Sequence, residues 1–100
     1  MQALSVLLTD FTYKLNQGKL DLNIAALVFD SRLAKADTLF FCIVGLQTDG
    51  HQFAQQAYDQ GCRVFIVEKN VILPSDATII EVENTSEALS TLSCTFFNYP

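Results

Sequence analysis

Six consecutive apolar residues at 39–44, Leu-Phe-Phe-Cys-Ile-Val, constrain the fold more than any other feature of this chain. The run is of strand length and stops at Gly45. A strand with one face in water alternates apolar and polar residues; one without that alternation must be covered on both faces. Residues 63–68, Arg-Val-Phe-Ile-Val-Glu, repeat the pattern, and residues 78–82, Thr-Ile-Ile-Glu-Val, add a further strand. Between the first two runs lies a segment with helical signals. Asp49 stands as N-cap with Gln52 closing a capping box, and Phe53, Ala54, Ala57 and Tyr58 follow at helical spacing. Gly61 sits where a C′ glycine belongs.

From residue 39 onward the order is strand, helix, strand, strand, helix. The last helix is capped by Asn84 or Thr85, has Glu87 in its first turn, and carries an apolar stripe of Ala88, Leu89, Leu92 and Phe96. Ahead of residue 39, residues 3–8 predict a short helix that stops near Thr9-Asp10. Residues 13–17 predict a brief strand ended by Gly18, and residues 23–29 another strand running into Asp30-Ser31-Arg32. The pattern implies an α/β fold: a small, mainly parallel (mixed) sheet with helices packed on it. With 100 residues, half of them apolar, the chain suits one globular domain spanning 1–100.

Acidic residues outnumber basic ones 11 to 6, for a formal charge of −5. That balance argues against nucleic acid as a partner, which would call for a basic face. It leaves room for a small anionic ligand held by backbone N–H groups. No apolar stretch approaches membrane-spanning length and the N-terminus lacks a charged leader, so the expectation is a cytoplasmic protein with no membrane partner. Cys42, Cys62 and Cys94 form no C-x-x-C pair, and an odd count is expected to mean reduced, buried, structural thiols. Gly18-Lys19 invites comparison with a phosphate loop, but Tyr13 and Leu20 occupy the positions that would have to be glycine and Ser or Thr. One histidine and scattered cysteines do not make a zinc site, so neither a metal nor a cofactor is expected here.

In open α/β sheets ligands bind beyond the carboxyl ends of strands. That rule directs attention to Gly45 through His51, and to Asp30-Ser31-Arg32 beside them. Asp30-Ser31-Arg32 has two readings. Asp30 or Ser31 caps a turn and Arg32 pairs locally, or Ser31 donates to a ligand phosphate or carbonyl while the ion pair stiffens the turn. His51 is either a packing and capping residue or a base, and spacing alone supports no catalytic triad.

The ordered set Asp30-Ser31-Arg32, Leu39-Phe40, Gly45, Asp49-Gly50-His51, Phe53, Ala57, Gly61 and Val67-Glu68 resembles the N-terminal domain of Mur ligases. The likeness continues through Pro74 and the last helix to the close Phe96-Phe97-Asn98-Tyr99-Pro100, which is similar to the MurE type. Two positions depart from the pattern. The family often has Gly-Asp where this chain has Asp37-Thr38, and Leu46 stands where some relatives carry a polar residue. The resemblance implies a cytoplasmic ATP-dependent ligase of peptidoglycan synthesis. Such an enzyme adds meso-diaminopimelate or L-lysine to UDP-N-acetylmuramoyl-L-alanyl-D-glutamate through an acyl phosphate. It further implies that this domain anchors the UDP moiety through Phe29, Ser31, Leu46, Gln47 and Thr48, supported by Asp30, Arg32, Asp49, Gly50 and His51. Catalytic residues, ATP and Mg²⁺ would then belong to the protein's own central and C-terminal domains, with none in this stretch. The equivalent domain of a MurF-type ligase, or a non-catalytic interaction module of the same fold, are the alternatives.

Overall fold

The computed structural model describes residues 1–97; the expected Asn98-Tyr99-Pro100 close lies outside them. In chain order the elements are β1 (Gln2–Ala3), α1 (Leu4–Leu7), β2 (Lys14–Gln17), β3 (Asn23–Ile24) and β4 (Ala26–Val28). A 3₁₀ turn at Ser31–Leu33 precedes β5 (Thr38–Phe41), and a second at Gly50–Phe53 runs into α2 (Ala54–Asp59). Then come β6 (Val64–Val67), β7 (Thr78–Glu81) and α3 (Thr85–Phe96). The main sheet has the order β2-β7-β6-β5-β4. Its four strands from β4 to β7 are parallel, and β2 closes one edge antiparallel to β7. The expected mixed, mainly parallel sheet is therefore present.

Every residue of β5 and β6 is buried, as the unbroken apolar runs require. The pleat sends alternate residues to opposite sides. Leu39, Phe41, Val64, Ile66 and Ile80 pack with Leu4 and Leu7 of α1 and Ala88 and Leu92 of α3. Phe40, Phe65, Val67 and Ile79 pack with Ala54 and Ala57 of α2. Phe40 and Phe65 meet edge to face, their ring centroids 6.1 Å apart. The sheet is thus the middle layer between α1/α3 and α2.

Several boundaries differ from expectation. Residues 23–29 do not form one strand: β3 pairs with β1 in a separate two-stranded sheet, while β4 joins the main sheet. Ala25 between them is exposed and donates its N–H to Asp37 O at 2.7 Å, outside either ladder. The 39–44 run leaves the sheet after Phe41, because Ile43 and Val44 turn into the loop that follows. The 3–8 helix is shortened to Leu4–Leu7 because Gln2 and Ala3 pair as β1. Asn84, not Thr85, caps α3, accepting from the Glu87 N–H at 2.8 Å.

Two local conformations explain sequence features. Asp37, where the resemblance leads one to expect glycine, has φ of 64°, a left-handed conformation that Asp tolerates better than most non-glycine residues. Gly18 has φ of 87°, and a Cβ there would lie 2.5 Å from the Thr78 Cα. Lys19 N–H donates to the Thr78 hydroxyl, which donates in turn to the Lys19 carbonyl. Gly18-Lys19 is accordingly a turn clamped onto β7.

Candidate functional site

Because β4 and β5 are parallel neighbours, the segments leaving their carboxyl ends emerge side by side. After β4, the Asp30 carboxylate caps the 3₁₀ turn, accepting the Arg32 N–H at 2.9 Å. The same carboxylate takes a two-pronged contact from the Arg32 guanidinium, through Nε at 3.0 Å and Nη2 at 2.6 Å. Both local elements of the first reading are therefore present. They leave the intervening Ser31 buried, at 9% exposure, with its hydroxyl 3.5 Å from Gln56 Oε1.

After β5, the chain makes a tight hairpin. Val44 bridges Asp49, Gly45 N–H donates to Thr48 O at 2.8 Å, and Leu46-Gln47 form the tip. Gly50 N–H then donates to Ile43 O at 2.8 Å. That approach is so close that a Cβ on Gly50 would sit 2.7 Å from the Ile43 nitrogen, so only glycine fits.

The two segments enclose a cleft of about 540 Å³. Phe29, Asp30, Ser31 and Arg32 line one side, and Ile43, Gly45, Thr48 and Gly50 the other. Phe53 and Gln56, from the second 3₁₀ turn and α2, complete it. Phe29 is 61% exposed, an aromatic face left uncovered at the rim. Aromatic faces, hydroxyls and an amide around an open cleft suit recognition of a planar, polar ligand.

Of the residues expected to contact ligand, Phe29, Ser31 and Thr48 come together here, with Asp30, Arg32 and Gly50 in support. Leu46 and Gln47 do not line the cleft: they occupy the exposed hairpin tip. Asp49 and His51 turn to another hollow shared with Lys69. Asp49 caps by accepting the His51 N–H at 2.9 Å, while Gln52, expected to close a capping box, is exposed. The His51 ring is 4% exposed and occupied at both nitrogens: Nδ1 lies 2.5 Å from Asp49 Oδ1, and Nε2 accepts the Glu68 N–H at 2.9 Å. Both ring nitrogens of His51 are thereby engaged with the protein itself. Phe53 and Gln56 were not foreseen as lining the cleft, although their i, i+3 spacing puts them on one face of the helical segment that follows the hairpin.

Electrostatics follow the contacts. The Arg32 guanidinium, and then its backbone N–H, hold the Asp30 carboxyl down to about 2. A carboxyl lowered by folding contributes stability that is present above the ordinary range near ~4 and is lost as pH falls through the folded value. Followed by carboxyl ¹³C shifts, Asp30 is expected to titrate near about 2, and Arg32→Ala should move that midpoint upward. An unmoved midpoint would show that the ion pair does not form. Asp49 is held well below the usual carboxylate range by the His51 N–H, the His51 ring and Lys69. Burial pushes the Cys42 thiol up to about 12 and also raises Cys62, consistent with structural roles. Cys94 corrects the expectation of buried thiols: it is exposed, on the outer side of α3 away from the Ala88–Leu92 stripe. Among the described residues no group of three or more His, Cys, Asp or Glu could hold a metal, and no helix is long and apolar enough to cross a membrane.

Known proteins are similar to this chain in sequence and in fold. The family described as "Mur ligase family, catalytic domain" matches residues 23–97. A UDP-N-acetylmuramoyl-L-alanyl-D-glutamate--2,6-diaminopimelate ligase of Syntrophomonas wolfei is 35% identical over 94% of this chain and 19% of its own length. The corresponding L-lysine ligase of Staphylococcus aureus is 37% identical over 83% of this chain and 17% of its own. The chain therefore spans about a fifth of the length of the curated relatives it matches. Among solved structures, MurF from Acinetobacter baumannii superposes with a TM-score of 0.82 at 24% identity, covering 94% of this chain and 20% of that one, a likeness of fold. The family match takes in three quarters of the chain and every residue that lines the cleft, so the chain belongs to the Mur ligase family.

Proposed function

We propose that this chain is the N-terminal, UDP-anchoring domain of a MurE-type ligase. The whole protein would add the third amino acid to UDP-N-acetylmuramoyl-L-alanyl-D-glutamate in the cytoplasm. One observation carries the reading: a cleft at the carboxyl ends of two adjacent parallel strands, lined by Ser31 from the segment after one and Thr48 from the segment after the other, with the exposed Phe29 beside them. Phe29 offers a stacking face for uracil, and the hydroxyls offer partners to the base or pyrophosphate. Leu46 and Gln47, at the hairpin tip, would close over the ligand. Binding at this remote end would position the reacting carboxylate elsewhere in the protein without taking part in the chemistry.

MurE-type relatives at 35–41% identity favour that type over MurF, whose structures share the fold at 24%. Relatives that use diaminopimelate and L-lysine match this stretch equally well, as expected if the incoming amino acid is chosen elsewhere. ATP and Mg²⁺ would likewise be held by the central and C-terminal domains. The residues here do not fit them, since Gly18-Lys19 is bonded to Thr78 and no metal-holding cluster is present among the described residues.

Titrating the ¹⁵N-labelled chain with UDP-N-acetylmuramoyl-L-alanyl-D-glutamate should shift amides at residues 29–32 and 45–50, with UDP acting similarly and ATP without a specific effect. Ser31→Ala should weaken binding by roughly 1–3 kcal/mol, the loss of a hydrogen bond to a charged or polar partner. A folded Ser31→Ala chain that binds as tightly as wild type would remove Ser31 from the contacts, and a folded wild-type chain that no uridine ligand perturbs would favour the interaction-module alternative.

A further inference from the structure

The Ser31 turn is gripped by a residue that does not line the cleft. Gln60, the C-cap of α2, donates from Nε2 to the Ser31 carbonyl at 2.6 Å and to the Ala34 carbonyl at 2.8 Å. Two carbonyl oxygens can be met only by the amide nitrogen, so its partners fix the orientation of this carboxamide. Among the described residues the other backbone hydrogen bonds of the turn run within residues 30–34, and the Ser31 hydroxyl meets α2 through the 3.5 Å contact with Gln56. A three-residue 3₁₀ turn has little rigidity of its own. The helix that holds it is anchored in the core by Ala54 and Ala57. Gly61, with φ of 110°, lets residues 35–36 pass so close that a Cβ would lie 3.2 Å from the Ala36 nitrogen. Gln60 thus ties the cleft wall that carries Ser31 to the fixed body of the domain through two hydrogen bonds, both shorter than the Ser31–Gln56 contact.

We propose that Gln60 is a positioning residue for ligand binding: by holding the Ser31 and Ala34 carbonyls it sets where the Ser31 hydroxyl stands across from Thr48. This rests on the reading of the cleft as a uridine-nucleotide site. Gln60→Glu keeps the shape of the side chain and turns the donor into an acceptor facing two carbonyls. Gln60→Lys restores donors.

The test titrates each chain with UDP-N-acetylmuramoyl-L-alanyl-D-glutamate and follows thermal unfolding in parallel. Gln60→Glu is expected to weaken binding by about tenfold or more, and Gln60→Lys to stay within about threefold of wild type. In a Ser31→Ala background, Gln60→Glu should cost less than about twofold further, because the hydroxyl it positions is gone. Equal weakening in both backgrounds would overturn the proposal, since a purely structural loss does not depend on Ser31. So would wild-type binding by Gln60→Glu. A wild-type chain that fails to bind would instead remove the cleft reading, and the proposal with it. Should Gln60→Glu not fold, Gln60→Ala removes the donors without adding charge and carries the same comparison.

Discussion

Phe41→Ala is expected to destabilise the domain by about 3–5 kcal/mol, the usual cost of emptying a buried phenylalanine site. Phe41 is fully buried, on the face of β5 that meets α1 and α3, among Leu39, Ile66, Leu4 and Leu92. Its neighbours come from four elements, β5, β6, α1 and α3, so they cannot collapse into the space without breaking other contacts. A domain of this size has only about 5–15 kcal/mol of stability in total. The loss should lower the melting temperature by roughly 15 °C or more, at about 4–8 °C per kcal/mol. Phe29→Ala is the control, because that ring is 61% exposed and its truncation should change stability by less than about 0.5 kcal/mol. Urea unfolding of the two variants beside wild type decides the matter. A Phe41→Ala effect under about 1 kcal/mol would mean that β5 is not covered by α1 and α3 as described.

The same burial explains why the centre of the fold was legible in the sequence. Residues 39–41 and 64–67 are apolar because they have helices on both sides, and two-sided cover leaves a pattern that needs no partner to be read. Residues 23–29 were misread because a short strand's ladder is decided by distant partners. Ile24 faces Gln2 while Leu27 faces Leu39, and nothing local marks Ala25 as the break. The site was half legible for a related reason. Ser31 and Thr48 could be placed by the strand-end rule, because strand ends are visible in sequence. Phe53, Gln56 and Gln60 depend on how α2 is rotated against the sheet, which is set by Ala54 and Ala57 packing beneath Phe40 and Phe65. That Leu46 and Gln47 stand at the exposed hairpin tip, outside the cleft lining, was not legible either, because the tip is set by the Gly45–Thr48 hydrogen bond between the two flanking residues.

His51→Ala separates the two roles that the sequence left open. The Glu68 N–H is an obligate donor, so the Nε2 that accepts it carries no proton, and the neutral ring must donate from Nδ1 to Asp49. His51 therefore joins the hairpin after β5 to the carboxyl end of β6. The Glu68 carboxylate extends the chain of contacts by accepting from the N–H and hydroxyl of Thr85, at 2.8 and 2.9 Å, in the first turn of α3. Truncation removes a hydrogen bond to the Asp49 carboxylate, strands the Glu68 N–H and empties a nearly enclosed space. Hydrogen bonds to charged groups contribute about 1.5–3 kcal/mol and an unmet buried donor costs about 1–3, so a loss of roughly 3 kcal/mol is expected. Amide exchange at Glu68 should accelerate beyond that of Cys42, whose N–H keeps its partner at Ile66 O. Ligand affinity should fall only as far as the hairpin carrying Thr48 loosens. The opposite pattern, unchanged stability with binding abolished, would make His51 a ligand contact and would require its ring to leave both partners that now hold it.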